Sequence, residues 1–340
     1  MKLRTLGKSG IKVSELGIGA WPMGGNYFMM NRWMGYSGAD DDESVRAIRR
    51  AEELGVNFID TADVYGLGRS ERVIAKAIEG RRDQWVIATK GTSIIDGSVG
   101  LHADFSYEHL IAACNRSLSR LNTDHIDVYQ LHSPGFDAAG KESAFRALSD
   151  LKRHGKIRLS AVSIGYQYLV GTMLVNEGMV DALQVYFNLL DQQAGEELVP
   201  LAEKKGVGIL ASIPFATGLL TGKYKKVSDF PNDDYRNDWL ISPSGGRVTR
   251  EERLRRALDV AALFENAGYK DMIAVACKFL LSFEGVSTII PGIRTVAHIE
   301  SNVAAVESAD IPAELFAQAR EMWRKWVAED KESAQAAAAG

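Results

Sequence analysis

Residues 57–71 read NFIDTADVYGLGRSE, which sets an acid and a phenol five positions apart: Asp60 ends an apolar run and Tyr65 stands just before Gly66. Two later apolar runs also end on ionisable residues, WVIATK at Lys90 and IDVYQLH at His132. Together these four types can move a proton. A free tyrosine, with a pKa of about 10, is a poor acid–base group near neutrality. A protonated lysine beside it favours the phenolate, and an aspartate bonded to the lysine keeps the amine charged and placed. A histidine at the same point can donate a hydrogen bond to a carbonyl oxygen and orient it. The set would protonate a carbonyl oxygen while hydride reaches its carbon, and hydride requires a cofactor, most simply a reduced nicotinamide. Each residue also has a plainer reading: Asp60 as a helix cap, Lys90 as a solvated strand end, His132 as a turn residue. Their joint placement at the ends of successive apolar runs favours the chemistry.

The glycines of the same stretch raise a rival reading, a dinucleotide-binding phosphate loop. That motif needs a strand directly before it, a third glycine and an acid about twenty residues on. Here Glu71 stands where the third glycine belongs, and DTADVY separates the apolar run from Gly66. The pair Gly66 and Gly68 therefore reads as a turn, with Ser70 expected to cap a helix starting at Glu71.

What must position these residues is a repeating alternation. Eight short apolar segments, at 16–21, 56–61, 85–90, 126–132, 157–163, 181–188, 207–213 and 286–292, end in polar residues and are separated by helical patterns. In DESVRAIRRAEELG the apolar positions recur at helical spacing, with Gly55 as the stop. Ser106 opens another helix ahead of YEHLIAACNRSLSRL. Nearly continuous apolar strands between helices predict a parallel sheet covered on its outside, and a count of eight predicts a closed (β/α)₈ TIM barrel. In such a barrel the loops after the strands converge on one mouth, where Asp60, Lys90, His132, Ser163, Gln184 and Asn188 would meet. Residues 2–17 read as an N-terminal β-hairpin that caps the barrel's bottom. Residues 218–247, which include Tyr235 and Trp239, form a long loop on the active-site face.

The 340 residues are read as one barrel domain over 1–333 with a frayed or disordered tail at 334–340. A 46% hydrophobic content supports a large core, and a net charge of -4 without basic blocks points away from nucleic acid and membrane surfaces. The two cysteines, Cys114 and Cys277, fit buried thiols of a reducing compartment. With no signal-like segment, the expected location is cytoplasmic, and no metal site is expected.

The segments NFIDTADVYGLGRSE, WVIATKG, DVYQLH, GLLTGKY and IIPGIRT, in this order and spacing, resemble the motifs of the aldo-keto reductase family along essentially the whole chain. The resemblance implies a barrel that binds an extended nicotinamide dinucleotide and reduces an aldehyde or ketone, or oxidises an alcohol in reverse. Asp60, Tyr65, Lys90 and His132 would be the catalytic tetrad, with Tyr65 the acid. Ser163 and Gln184 would hold the nicotinamide amide, Ile164 standing where the family has asparagine. Ser212 stands where many relatives stack a tyrosine on the ring. Gly218, Leu219 and Lys223 would follow the pyrophosphate. Gly292, Arg294, His298 and Asn302 would meet the adenosine end, where Arg294 and the free N–H groups of a helix beginning at Thr295 favour NADP(H) over NAD(H).

The first loop, WPMGGNYFMMNRWMGYSGADD, is rich in aromatics and methionines. Trp21, Tyr27 and Trp33, together with Phe215, are assigned to a substrate pocket, although the loop with its Trp21, Tyr27, Phe28, Met29, Met30 and Trp33 could equally pack on its own helices. Two rivals to a reductase remain: a nucleotide-binding, non-enzymatic redox-sensing partner subunit, and a barrel that uses the same residues for isomerisation or dehydration.

Overall fold

The computed structural model describes residues 1–29, 32–96, 100–134, 138–229 and 248–339. Its centre is an eight-stranded parallel sheet built from β3 (Ile18–Gly19), β6 (Phe58–Asp60), β7 (Val86–Lys90), β10 (Ile126–His132), β11 (Ile157–Gly165), β12 (Ala182–Tyr186), β13 (Gly208–Ser212) and β14 (Val286–Ile290), paired in that order. The two edges then meet. Bridges join Leu16 to Ile289 and Gly19 to Gly292, and the backbone bonds Gly17 N to Ile289 O and Gly19 N to Pro291 O run at 2.8 Å each. The barrel is thereby closed, and each of the eight expected segments supplies one strand. Closure explains why these strands carry so few polar residues: helices cover their outer faces and side chains fill the inner ones.

The hairpin of β1 (Leu3–Thr5) and β2 (Lys12–Ser14) closes the bottom. Its Leu6, Ile11 and Val13 share one buried cluster with Phe58, Ala88, Val128, Ala161, Ala182 and Leu210 from the strands, so apolar side chains of the hairpin plug the barrel. Gly7 cannot be larger, because it has φ +53° and a Cβ there would lie 2.5 Å from the Gly206 carbonyl oxygen.

The helix Asp41–Glu53 is stopped by Gly55, at φ +80°. The helix Tyr107–Leu121 starts at Ser106, which accepts a bond from the His109 N–H. Ser70 does not cap. The helix Arg69–Ala77 begins at Gly68 in a left-handed conformation, while the Ser70 hydroxyl is buried, accepting from Thr61 Oγ1 and donating to the Ala20 carbonyl. At the far end one helix runs Ala313–Ala339, so residues 334–339, expected to fray, continue it in an alanine-rich stretch.

Three loops at the strand ends are elaborated. The first holds a hairpin of β4 (Tyr27–Met29) and β5 (Arg32–Met34), and the third one of β8 (Ser93–Asp96) and β9 (Gly100–Ala103). The long loop after β13 begins with 3₁₀ turns at Ala216–Thr221 and Val227–Asp229. Met30, Tyr235 and Trp239, singled out in the sequence, lie outside the described residues.

Candidate active site

The turn that carries Tyr65 is held by close backbone contact. Gly66, Leu67 and Gly68 all have positive φ, and a Cβ on Gly66 would lie 2.1 Å from the Gly24 carbonyl oxygen. The turn therefore rests on the 3₁₀ segment Trp21–Gly24, which stacks Trp21 on Tyr65 with ring centroids 6.0 Å apart. The glycines serve a turn, not a phosphate loop. Just past the end of the next strand, Gly91 leaves no room for a Cβ, which would sit 2.0 Å from the Tyr129 hydroxyl.

Asp60, Tyr65, Lys90 and His132 meet as the strand-end argument requires. The fully buried Lys90 ammonium donates to Asp60 Oδ2 at 2.6 Å, to the Thr61 carbonyl at 2.8 Å and to the Tyr65 hydroxyl at 3.4 Å. The His132 ring stands edge-on to Tyr65, 6.1 Å between centroids. Asp60 is held from its other side by Gln130 Nε2 at 2.7 Å and Gln184 Nε2 at 2.8 Å, and the Ser163 hydroxyl donates to Gln184 Oε1 at 2.9 Å. Gln130 went unnoticed in the sequence, yet it lies two residues before His132 on one strand and so shares its face, a period-two signal that would have found it. Gln184, assigned to the cofactor amide, is already committed on both amide atoms to Asp60 and Ser163.

The electrostatics correct one expectation. The Tyr65 phenol is pushed well above the usual tyrosine value, first by burial and then by the Asp60 charge. Lys90 does not acidify it in this state. Burial pulls the ammonium's own pKa down against the pull of Asp60, whose charge cancels much of what the amine could offer the phenol. Tyr65 is thus a protonated hydroxyl, ready to donate. Burial and the Lys90 charge push His132 down to about 3, so the imidazole is neutral.

These groups open into a cleft of about 390 Å³. Ser163, Gln184 and Ser212 lie along it, as do Gly218, Lys223, Gly292, Arg294, His298 and Asn302; Trp21 and Phe215 also line its walls. Leu219 does not: its side chain is 3% exposed in the core. Nor do Tyr27 and Trp33 line it. Tyr27 donates to the Val64 carbonyl at 3.3 Å, and Trp33 packs edge-on against Phe28 at 5.4 Å, so the first-loop hairpin packs partly on itself. Tyr36, Tyr186 and Tyr224, unassigned from the sequence, take their place. Ile164 is also outside the cleft. It is the extra residue of a β-bulge between Ser163 and Gly165, 1% exposed, and presses on the helix Tyr168–Asn176, where a Cβ on Gly171 would be 2.6 Å from Ile164 Cδ1.

The model of the Aldo/keto reductase family matches residues 15–324. The chain belongs to this family. The Bacillus subtilis (strain 168) protein named uncharacterized oxidoreductase YqkF is 29% identical over 315 residues, 92% of this chain and 94% of its own. A Schizosaccharomyces pombe (strain 972 / ATCC 24843) protein named "Putative voltage-gated potassium channel subunit beta" is 30% identical, covering 90% of this chain and 88% of its own. Among solved structures, aldo-keto reductase AKR11C1 from Bacillus halodurans in its holo form superposes with a TM-score of 0.75 at 28% identity, covering 95% of this chain and 96% of that one. The chain is therefore an oxidoreductase of the aldo-keto reductase type, and such enzymes use nicotinamide cofactors.

The donor set of the cleft fits such a cofactor. Ser163 and Gln184 line one end, bonded at present to each other and to Asp60, and Lys223 and Arg294 bring positive charge to the other, with the His298 imidazole beside them. One expected feature differs. The helix Val296–Glu307, capped by Thr295, does not offer a free N-terminus, because Glu43 Oε1 accepts the Val296 N–H at 2.9 Å and the Thr295 hydroxyl accepts that of His298 at 3.2 Å.

Proposed function

We infer that the protein reduces the carbonyl of an aldehyde or ketone with NADPH, or runs the reverse oxidation, with Tyr65 as the proton donor. The observation that carries this reading is the chain of bonds Asp60–Lys90–Tyr65 at the cleft floor, with the edge of His132 beside it. When bound, the reduced nicotinamide supplies hydride to the carbonyl carbon. The protein's part is the proton and the placement. The neutral His132 imidazole donates a hydrogen bond to the substrate oxygen without bringing a charge that would repel Lys90. The Tyr65 hydroxyl gives its proton to that oxygen, and the phenolate it leaves is stabilised by the ammonium 3.4 Å away. Asp60 keeps that ammonium charged and aimed, and Gln130 and Gln184 keep Asp60 from turning. Proton transfer thus draws on a cation whose field is spent on Asp60 until phenolate appears.

Ser163 and Gln184 would hold the nicotinamide amide, Ser212 would lie against the ring, and Gly218 and Lys223 would follow the pyrophosphate. Gly292, Arg294, His298 and Asn302 would take the adenosine end, where the Arg294 guanidinium favours the 2′-phosphate of NADPH. Aromatic walls from Trp21, Tyr36, Tyr186 and Phe215 suit a substrate with an apolar or ring-bearing body. Among the described residues no helix is long and apolar enough to cross a membrane, and Cys114 and Cys277 are free and buried, which suits work in a reducing cytoplasm.

The potassium-channel-subunit relative favours a second reading, a nucleotide-binding partner subunit. NADPH consumption with a panel of aromatic and aliphatic aldehydes and ketones separates the two. Turnover in the wild type, lost in Tyr65→Phe with nucleotide binding retained, supports the reductase. Tight binding of nucleotide without turnover on any carbonyl supports the partner subunit. Unchanged turnover in Tyr65→Phe removes the assignment of Tyr65.

A further inference from the structure

At the end of the cleft that collects positive charge, a carboxylate stands where an anion would be welcome. The helix Asp41–Glu53 is capped by Asp40, whose side chain accepts the Glu43 N–H at 2.7 Å and so sets where Glu43 points. Glu43 reaches across to the neighbouring helix Val296–Glu307 and takes its first N–H, Val296, at 2.9 Å. Its second oxygen accepts from Arg46 Nη2 at 2.6 Å and Nε at 3.0 Å. The carboxyl is held below the usual glutamate range by the Val296 N–H first, then by Arg46, with His298 adding to the effect. Around the same point, burial pushes the His298 imidazole down, Arg294 and Lys223 push it further, and Glu43 opposes them. Arg294 meanwhile donates from Nη1 to the Ser37 carbonyl of the first loop, so it is anchored at the cleft wall.

We propose that Glu43 is the residue that sets the discrimination between NADPH and NADH, by holding a negative charge at the helix terminus where the 2′-phosphate would otherwise dock. The proposal rests on the reading of this cleft as a nicotinamide dinucleotide site and goes beyond it by assigning a residue that the cleft lining does not include. A helix N-terminus favours an anion through its unpaired N–H groups and its dipole. Here the protein fills that place with its own carboxylate. A phosphate approaching Arg294 and His298 must either displace Glu43 from the Val296 N–H or accept a like charge nearby. A ribose with a free 2′-hydroxyl meets neither cost, since a carboxylate can accept its hydrogen bond. Arg294 and Lys223 attract the phosphate and Glu43 resists it, so the chain's preference for NADPH is smaller than those two positive groups alone would produce.

The test is direct binding of NADPH and NADH to the full chain, read by calorimetry, for the wild type, Glu43→Gln, Glu43→Ala and Arg294→Ala. Glu43→Gln keeps the size and a hydrogen-bonding oxygen while removing the charge. It is expected to lower the ratio of the NADPH to the NADH dissociation constant by on the order of tenfold, and Glu43→Ala to move it in the same direction. Raising ionic strength should shrink the effect. A ratio unchanged within about twofold in both Glu43 variants, or an equal loss of both nucleotides in both, would make Glu43 a structural cap and overturn the proposal. Arg294→Ala tests the underlying reading separately: it should raise the ratio. If it leaves the ratio unmoved while the Glu43 variants change it, the role of Arg294 falls and that of Glu43 stands. If Arg294→Ala raises the ratio and the Glu43 variants do not lower it, the cleft reading stands and Glu43 is excluded.

Discussion

Among the described residues two acid–cation pairs are buried on both sides, and their surroundings differ in one respect. Asp191 and Arg253 join through a planar fork, Nη1 to Oδ1 at 3.0 Å and Nη2 to Oδ2 at 2.9 Å. Tyr166 and Asn188 add bonds to the same carboxylate at 3.2 and 3.0 Å, and the Tyr166 ring packs edge-on against Tyr186 at 4.8 Å. Asp191 is thus enclosed by protein donors, and Arg253 is held charged by it. Asp60 and Lys90 are as deeply buried, but one bond of the ammonium goes to a hydroxyl that faces the cleft. Burial lowers the Lys90 pKa, whereas that of Arg253 is raised, so the first pair is electrostatically responsive and the second is fixed. A buried ion pair is therefore not in itself a mark of catalysis. What separates a site from a staple is whether a bond is left pointing at a ligand.

The sharpest way to break that comparison is to treat the two regions alike. Tyr65→Phe removes only a hydroxyl and should lower turnover by about 10²–10⁴-fold, with nucleotide binding and the unfolding midpoint little changed. Steady-state kinetics beside calorimetric titration check it; a loss below about tenfold would place the proton donor elsewhere. Arg253→Met should do the reverse. It strands the Asp191 charge in the core and should cost roughly 3–5 kcal/mol in urea unfolding, while kcat measured well below the unfolding temperature changes little. A large fall in kcat with stability intact would show that the Asp191 network is part of the site and that the contrast drawn above is false.

Much of the architecture was legible because parallel strands buried on both faces leave an uninterrupted apolar trace, and polar residues at their ends mark the mouth of the barrel. The eight strands and the meeting of Asp60, Lys90 and His132 follow from that logic; Tyr65 comes from the loop after its strand, and Asn188, expected at the same mouth, is instead buried against Asp191. What escaped is of two kinds. The loop hairpin at 27–34 carries no tight-turn dipeptide such as Asn-Gly, so its pairing left no local sign, whereas the one at 93–103 did carry such a sign, Asp96-Gly97, which went unread. Contacts across the fold, such as Gln130 on Asp60 or Glu43 on the Val296 N–H, depend on which helices and strands become neighbours, and Glu43 reads locally as an ordinary first-turn acid. Ile164 combines both failures. It aligns with a cofactor-binding asparagine, but the bulge after Ser163 leaves it against the helix layer. Ile164→Asn is accordingly expected to destabilise the fold by about 2–3 kcal/mol, because it buries an amide among apolar neighbours, with no gain in nucleotide affinity. Tighter nucleotide binding in that variant would show that the side chain reaches the cleft after all.

The smallest expected effect concerns the imidazole beside the reactive pair. Because burial and the Lys90 charge hold His132 down to about 3 in the folded protein, while an unfolded histidine titrates at about 6.5, the unfolded chain binds one more proton than the folded chain between those values. Stability must therefore fall as pH drops from about 6.5 toward 3, and it is unaffected by this residue above that window. The sign is opposite to that of a histidine stabilised by a carboxylate. Replacing His132 with Asn should flatten the part of the acid limb that begins near pH 6.5, leaving the decline due to other groups. Urea midpoints of both proteins between pH 7.5 and 4.5 measure the difference. Parallel curves would mean that His132 takes up its proton in the folded state, and a charged imidazole would then face Lys90, contradicting the neutral hydrogen-bond donor required at the substrate oxygen.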